Sequence, residues 1–190
     1  LWAASDKTYH ELHPRSRPGD FYKILDAVQK MRSARPTPEL HLLNVISKVN
    51  VGEISRMADL ARNLRADGVY FTLVDALDDT RFLVLNQEQR EQATLEIQRV
   101  KSRFYQGNEK IHWDNLDGFE NRLKDVQEDT LYDKSIIDSL PCYMGWHFTR
   151  VTADGIVAPC CRGVDYPMGN LHEHSFEEIW RGKPFQEFRQ

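Results

Sequence analysis

Two short apolar runs, each set between stretches of helical period, constrain this chain more than any other feature. Residues 39–47 hold Leu40, Leu42, Leu43, Val45 and Ile46, and Gly68 restarts a second run, Val69-Tyr70-Phe71-Thr72-Leu73-Val74. A near-continuous apolar run of this length reads as a strand buried on both faces, as in a parallel sheet. Over residues 20–33, Phe21, Ile24, Leu25, Val28 and Met31 fall at helical spacing, and Pro36 and Pro38 end the segment. A second helix is expected over 51–65, with Ile54, Met57, Ala58, Ala61 and Leu64 on its inner stripe and Asn50 with Glu53 as its capping box. A long helix is expected from about Asn86 to Tyr105. Helix, strand, helix, strand, helix with short loops implies right-handed β/α crossovers onto a parallel sheet. An open doubly wound sheet and a TIM-type barrel both satisfy the pattern, and in both, ligands bind at the C-terminal strand ends. Those ends hold Ser5 and Asp6, Ser47 to Asn50, and Asp75 to Asp79. Polar residues there serve equally well to cap helices and solvate loops.

The totals narrow the function class. With 190 residues, 41% hydrophobic, 28% charged and a net charge of −4, the chain has the make-up of a soluble globular protein of one domain or somewhat more. No apolar run approaches the roughly 18–20 residues of a membrane span, and no signal peptide opens the sequence. The mild acidity disfavours nucleic acid as a partner, because phosphate binding needs a basic face. The three cysteines, Cys142, Cys160 and Cys161, all lie in the last third. An odd, clustered set is a poor disulfide framework and suits a reducing, cytoplasmic setting. The sequence opens Leu1-Trp2-Ala3-Ala4 without an initiator Met and reads as the tail of an apolar strand, so it is expected to begin inside a domain. Residues 106–141 are polar; Asp114 to Val126 is expected as a helix burying Leu116, Phe119 and Leu123, in a stretch that connects to a second module.

That module contains the cysteines. His147 to Thr152 and Ile156 to Ala158 are expected to pair as a β-hairpin, with Asp154-Gly155 as a tight two-residue turn. Such a hairpin brings Cys142 and Cys160 together across its open end. Two thiolates there make half of a tetrahedral sulfur site, suited to an iron–sulfur cluster or, since no Cys-x2-Cys pair is present, less well to zinc. The alternative is that the cysteines are buried as small hydrophobes. Cys161 is the weakest of the three, because adjacent side chains in extended structure point to opposite faces. Trp146 and Phe148 either shield a cluster or pack a core, and His172 and His174 are either ligands or exposed loop residues. Ser175 and Glu178 form a capping box for a short helix that packs Ile179 and Trp180 over the hairpin.

Several of these elements occur together in one known pattern. Cys142-x12-Gly155-x4-Cys160, the Pro159-Cys160-Cys161 triplet, Gly169-Asn170-Leu171, and Ser175 to Trp180 followed by Phe188-Arg189 resemble the SPASM/twitch module. This is the auxiliary-cluster domain found C-terminal to the barrel in many radical S-adenosylmethionine (SAM) enzymes. Upstream, Trp2-Ala3, Tyr9, His13-Pro14 and the Val45-Ile46 strand leading to Asn50 are more loosely similar to the second half of the radical SAM partial barrel. The resemblance implies an α/β fold, part of a parallel (β/α) barrel over 1–105, a connecting segment over 106–140, and a small α+β domain with a β-hairpin and short helix over 141–190. It implies an auxiliary 4Fe–4S cluster on Cys142, Cys160 and Cys161 that assists substrate binding or electron transfer during 5′-deoxyadenosyl radical chemistry. Ser47 and Asn50 are the residues it suggests for a SAM-facing rim. SAM, a second 4Fe–4S cluster and a reducing donor such as flavodoxin or ferredoxin would belong to the full-length protein. The substrate class stays open among peptides, sugars and small metabolites.

The sequence also departs from that pattern. The Cys-x3-Cys-x-Φ-Cys loop that binds the initiating cluster and SAM is absent from these residues, and so is the second SPASM cysteine group. At most one auxiliary cluster fits, and residues 1–190 alone are expected to be inactive. A non-catalytic peptide- or partner-binding relative of radical SAM proteins and a structural zinc-binding domain are the alternatives.

Overall fold

The computed structural model describes residues 2–75, 78–104, 111–124, 140, 142–161 and 163–190. The chain forms two compact units, Leu1–Asp133 and Lys134–Gln190. In the first, helices α1 (Asp6–Leu12) and α2 (Asp20–Arg32) precede strand β1 (His41–Ile46). A 3-10 turn (Val51–Glu53) leads into α3 (Ile54–Asn63), followed by β2 (Gly68–Leu73), α4 (Gln87–Phe104), β3 (His112–Trp113) and α5 (Leu116–Lys124). The strands form a parallel sheet in the order β1-β2-β3, with His41 opposite Gly68, Ile46 opposite Leu73 and Val69 opposite Trp113. Parallel neighbours joined through helices are the crossover units that the alternation of periods predicts.

The sheet's burial differs from the expected pattern. Leu42, Asn44 and Ile46 are buried while His41 and Leu43 are exposed, Leu43 by 52%. One face is covered: Leu42, Ile46, Val69 and Phe71 share a core with Ile54, Met57 and Ala61 of α3, Ile97 and Val100 of α4, and Leu116 and Phe119 of α5. Leu43, Val45, Tyr70 and Thr72 lie on the opposite face, where each is exposed or half-buried. The apolar run therefore marks a strand covered on one side among the described residues, not on two.

Helix α5 buries Leu116, Phe119 and Leu123 as its spacing predicts. It and β3 belong to the core of the sheet unit, so the described part of the stretch expected as a connection is structural. Residues 2–5 are in no strand, contrary to the expected strand tail. They are instead held by polar groups: the Asn50 amide donates to the Trp2 carbonyl at 2.7 Å, and Glu53 accepts from the Ala4 N–H at 2.8 Å and the Ser5 hydroxyl at 2.6 Å. Those bonds explain why the expected Asn50–Glu53 capping box does not form, since both side chains are used elsewhere. A reciprocal cap does open α4, where Asn86 and Gln89 each accept from the other's backbone N–H, at 2.9 and 3.1 Å.

The second unit contains a helical turn α6 (Met144–His147), strands β4 (Arg150–Val151), β5 (Ile156–Ala158) and β6 (Gly169–Asn170), and helices α7 (Phe176–Arg181) and α8 (Lys183–Phe188). The strands form an antiparallel sheet, β4-β5-β6, with Val151 opposite Val157 and Val157 opposite Gly169. Its core is Val157, Met168, Ile179 and Phe185, with Trp180 packed against it. The Ser175–Glu178 capping box is present, so α7 starts where the sequence predicts.

Candidate metal centre

The β4–β5 hairpin sets the position of Cys160. Thr152 N–H donates to the Ile156 carbonyl at 2.9 Å and Gly155 N–H to the Thr152 carbonyl at 3.0 Å, which encloses Ala153, Asp154 and Gly155 in the loop. Gly155 has φ +80° while Asp154 is not at positive φ. This is a three-residue loop ending in a left-handed glycine, not the two-residue turn expected, because that turn needs positive φ at both central residues. The Thr152 hydroxyl bonds the Asp154 carboxylate and holds its pKa below the ordinary carboxylate value. At the open end, the Thr149 hydroxyl donates to the Ala158 carbonyl at 2.8 Å, closing the hairpin just before Pro159 and Cys160.

Cys160 is half-buried, and its turn is ordered by backbone bonds. Gly163 N–H reaches both the Cys160 carbonyl at 3.2 Å and the Cys160 Sγ at 3.1 Å. A donor fixed on a sulfur tunes a metal bound there. Cys142 and Cys161 are exposed, and all three cysteines are free thiols. Cys142 is followed by α6, not by a strand: His147 is helical and β4 begins only at Arg150, so the hairpin is shorter than expected. Among the described residues, no set of three or more His, Cys, Asp and Glu converges to hold a metal ion. The donor chemistry nevertheless fits a sulfur-ligated cluster, with soft thiols and one sulfur already accepting an N–H. A site whose ligands gather only with the metal is common, because metal binding is coupled to folding.

The other candidates fall as follows. Trp146 and Phe148 are 46% and 38% exposed, so neither packs a core in this unit. Tyr143 stands edge-on to Trp146 at 6.1 Å. His172 and His174 are exposed. Ser47 and Asn50 are fully buried in the sheet unit, where the Asn50 amide oxygen accepts the Ser47 N–H at 2.7 Å and its nitrogen donates to the Val45 carbonyl at 2.8 Å. Their polar atoms build the turn after β1.

Sequence reasoning missed Thr149 and Gly163 as parts of this site, and the contact that Arg189 makes. A glycine three residues after Cys160 is a turn signal and could have pointed to the sulfur-bonding amide. Arg189 enters the sequence pattern only as part of Phe188-Arg189, which does not reveal that its Nε donates to the Gly145 carbonyl in α6 at 2.8 Å.

Among the described residues, no helix is long and apolar enough to cross a membrane. No curated protein matches the chain. Residues 142–190 match the family model of SPASM, described as an iron–sulfur cluster-binding domain. That range begins at Cys142 and takes in the hairpin, the Cys160 turn, β6 and both terminal helices, so iron–sulfur cluster binding is the function assigned to this part of the chain.

Proposed function

We propose that the chain is the C-terminal portion of a radical SAM enzyme, in which residues 142–190 hold an auxiliary 4Fe–4S cluster through Cys142 and Cys160, with Cys161 as a third thiolate. The observation that carries this reading is the coincidence of the SPASM match with a hairpin that leads into Cys160, whose sulfur accepts the Gly163 N–H. When bound, such a cluster supplies a centre that coordinates substrate or accepts an electron. The chain's own residues do the positioning: Thr149 closes the hairpin, Gly155 shapes its loop and the Gly163 amide orients the Cys160 sulfur. The parallel sheet with its crossover helices supports reading residues 1–105 as part of a (β/α) barrel. In that reading Ser47 and Asn50 shape the loop at a C-terminal strand end where SAM would be met. SAM, the initiating cluster and a flavodoxin- or ferredoxin-like donor complete a cytoplasmic enzyme acting on a peptide, sugar or small metabolite.

Anaerobic reconstitution with iron and sulfide should give a brown protein with a thiolate charge-transfer band, lost in Cys142→Ala and Cys160→Ala. In the same preparation, residues 1–190 with SAM and dithionite should release no 5′-deoxyadenosine, since these residues contain no Cys-x3-Cys-x2-Cys loop, whereas the full-length enzyme should. A colourless protein that keeps stoichiometric zinc overturns the cluster reading. Release of 5′-deoxyadenosine by residues 1–190 overturns the division of labour.

A further inference from the structure

Helix α6 is a single turn, and its N-cap residue Tyr143 makes no side-chain capping bond. A segment this short does not hold helical geometry by itself, because nucleation is unfavourable and few bonds follow it. Its position must come from tertiary contacts, and these converge on the last residues of the chain. Arg189 Nε donates to the Gly145 carbonyl at 2.8 Å, and Nη1 of the same guanidinium donates to the Trp180 carbonyl at 2.9 Å. The guanidinium lies 4.4 Å from the Trp180 ring centre and 4.9 Å from that of Phe185, which is fully buried. Gly145 is buried, and a Cβ there would fall 2.7 Å from Cδ1 of Phe188. Guanidinium and ring thus both bear on Gly145 of α6. Arg189 Nη2 is buried and meets no acceptor among the described residues.

We propose that Arg189 is a positioning residue for Cys142, clamping α6 to α7 and α8 so that the thiol just upstream of α6 is presented in one orientation. The proposal rests on the reading of Cys142 as a cluster ligand. The planar fork of arginine carries it: two donors on one rigid group reach two carbonyls while the face stacks on aromatic rings. Lysine keeps the charge over Trp180 and Phe185 but has no fork to span both carbonyls. The buried Nη2 donor of the same guanidinium keeps unspent hydrogen-bonding capacity.

The test uses Arg189→Lys and Arg189→Gln in the full chain, alongside Cys142→Ser. In cluster-free protein, hydrogen exchange at the Trp146 and Phe148 amides, which bond the Tyr143 and Met144 carbonyls, should accelerate several-fold in both Arg189 variants. The Ile156 and Met168 amides should be unchanged. In reconstituted protein, the chelator concentration that strips half the iron should fall by about tenfold. The electron paramagnetic resonance signal of the reduced cluster should shift towards that of Cys142→Ser. Unchanged α6 exchange and an unchanged signal overturn the proposal. So does loss of α7 and α8 in Arg189→Lys, because that places the role in the helices and not at Cys142. If Cys142→Ser itself leaves the signal of the reduced cluster unaltered, the ligand assignment falls instead, and the exchange measurement still decides whether Arg189 holds α6.

Discussion

At Gly155 the chain takes φ +80°, and a Cβ added there would lie 2.8 Å from Asn170 Oδ1 and 2.8 Å from His172 Cδ2. Left-handed backbone costs an ordinary L-residue roughly 1–2 kcal/mol, and a β-branched one suffers most. Gly155→Val should therefore destabilise the second unit by at least that amount, with the push against Asn170 and His172 adding to it. Because β5 leads from this loop into Cys160, the variant should lose iron per chain more than it loses far-ultraviolet circular dichroism. Full iron occupancy in a well-folded Gly155→Val protein would show that the hairpin does not place the cysteine. The glycine and its turn are legible in the sequence as Asp154-Gly155, whereas the loop length is not. Adding one residue to the loop leaves the turn residues the same and changes only which amide closes it. Asn50 teaches a related lesson. Its position after a strand is readable, but one partner of its amide, the carbonyl of Trp2, comes from a segment remote in sequence.

Between helices α4 and α5, a half-buried ion network joins elements that the sequence shows only separately. Lys101 Nζ lies 2.5 Å from Glu120 and 2.6 Å from Asp117, and Lys124 adds a contact to Glu120 at 3.2 Å. The Lys101 bond above all holds the Glu120 pKa down, to about 2 from an ordinary 4.5. A lowered folded-state pKa means that the carboxylate's contribution is complete above its unfolded value and is lost as pH falls through the folded one. The window here runs from 4.5 down to about 2. Lys101→Met should cost about 1–2 kcal/mol at neutral pH, between the surface and buried limits for a broken pair. Chemical denaturation of both proteins across that window should show the difference shrinking as Glu120 takes up its proton. A difference independent of pH would assign the cost to lost packing of the lysine stem. Helix α5 itself follows from the spacing of Leu116, Phe119 and Leu123, while β3 has only two residues and no periodicity to read. Helix α6 escaped for the same reason: Met144 to His147 is too short for a period and is held by Arg189 from far along the chain.

For the whole molecule, the alternation of periods is enough to predict parallel crossovers, and the three parallel strands agree with it. Alternation alone cannot separate a barrel from an open sheet, because closure depends on the tilt and stagger of a full set of strands. The two units differ in what holds them. The sheet unit buries a continuous core from Leu40 through Leu123, whereas the described core of the second unit is Val157, Met168, Ile179 and Phe185 with Trp180 against it. A described core that small, in a unit below ~70 residues, rarely supplies enough apolar burial by itself, and metals commonly make up the deficit. Binding energy that gathers the ligands is then folding energy for this unit. Stripping the cluster with a chelator should accelerate exchange at the Met168 and Leu171 amides, which bond the Val157 and Gly155 carbonyls across the small sheet. The Val74 and Asp114 amides, bonded to Ile46 and Val69 in the parallel sheet, should keep their protection, because their core does not involve the metal. Exchange separates such sub-global openings from global unfolding. If the Met168 and Leu171 amides exchange at the same rate with and without iron, the small unit stands on its apolar core alone, and the cluster is cargo on a finished scaffold instead of part of the fold.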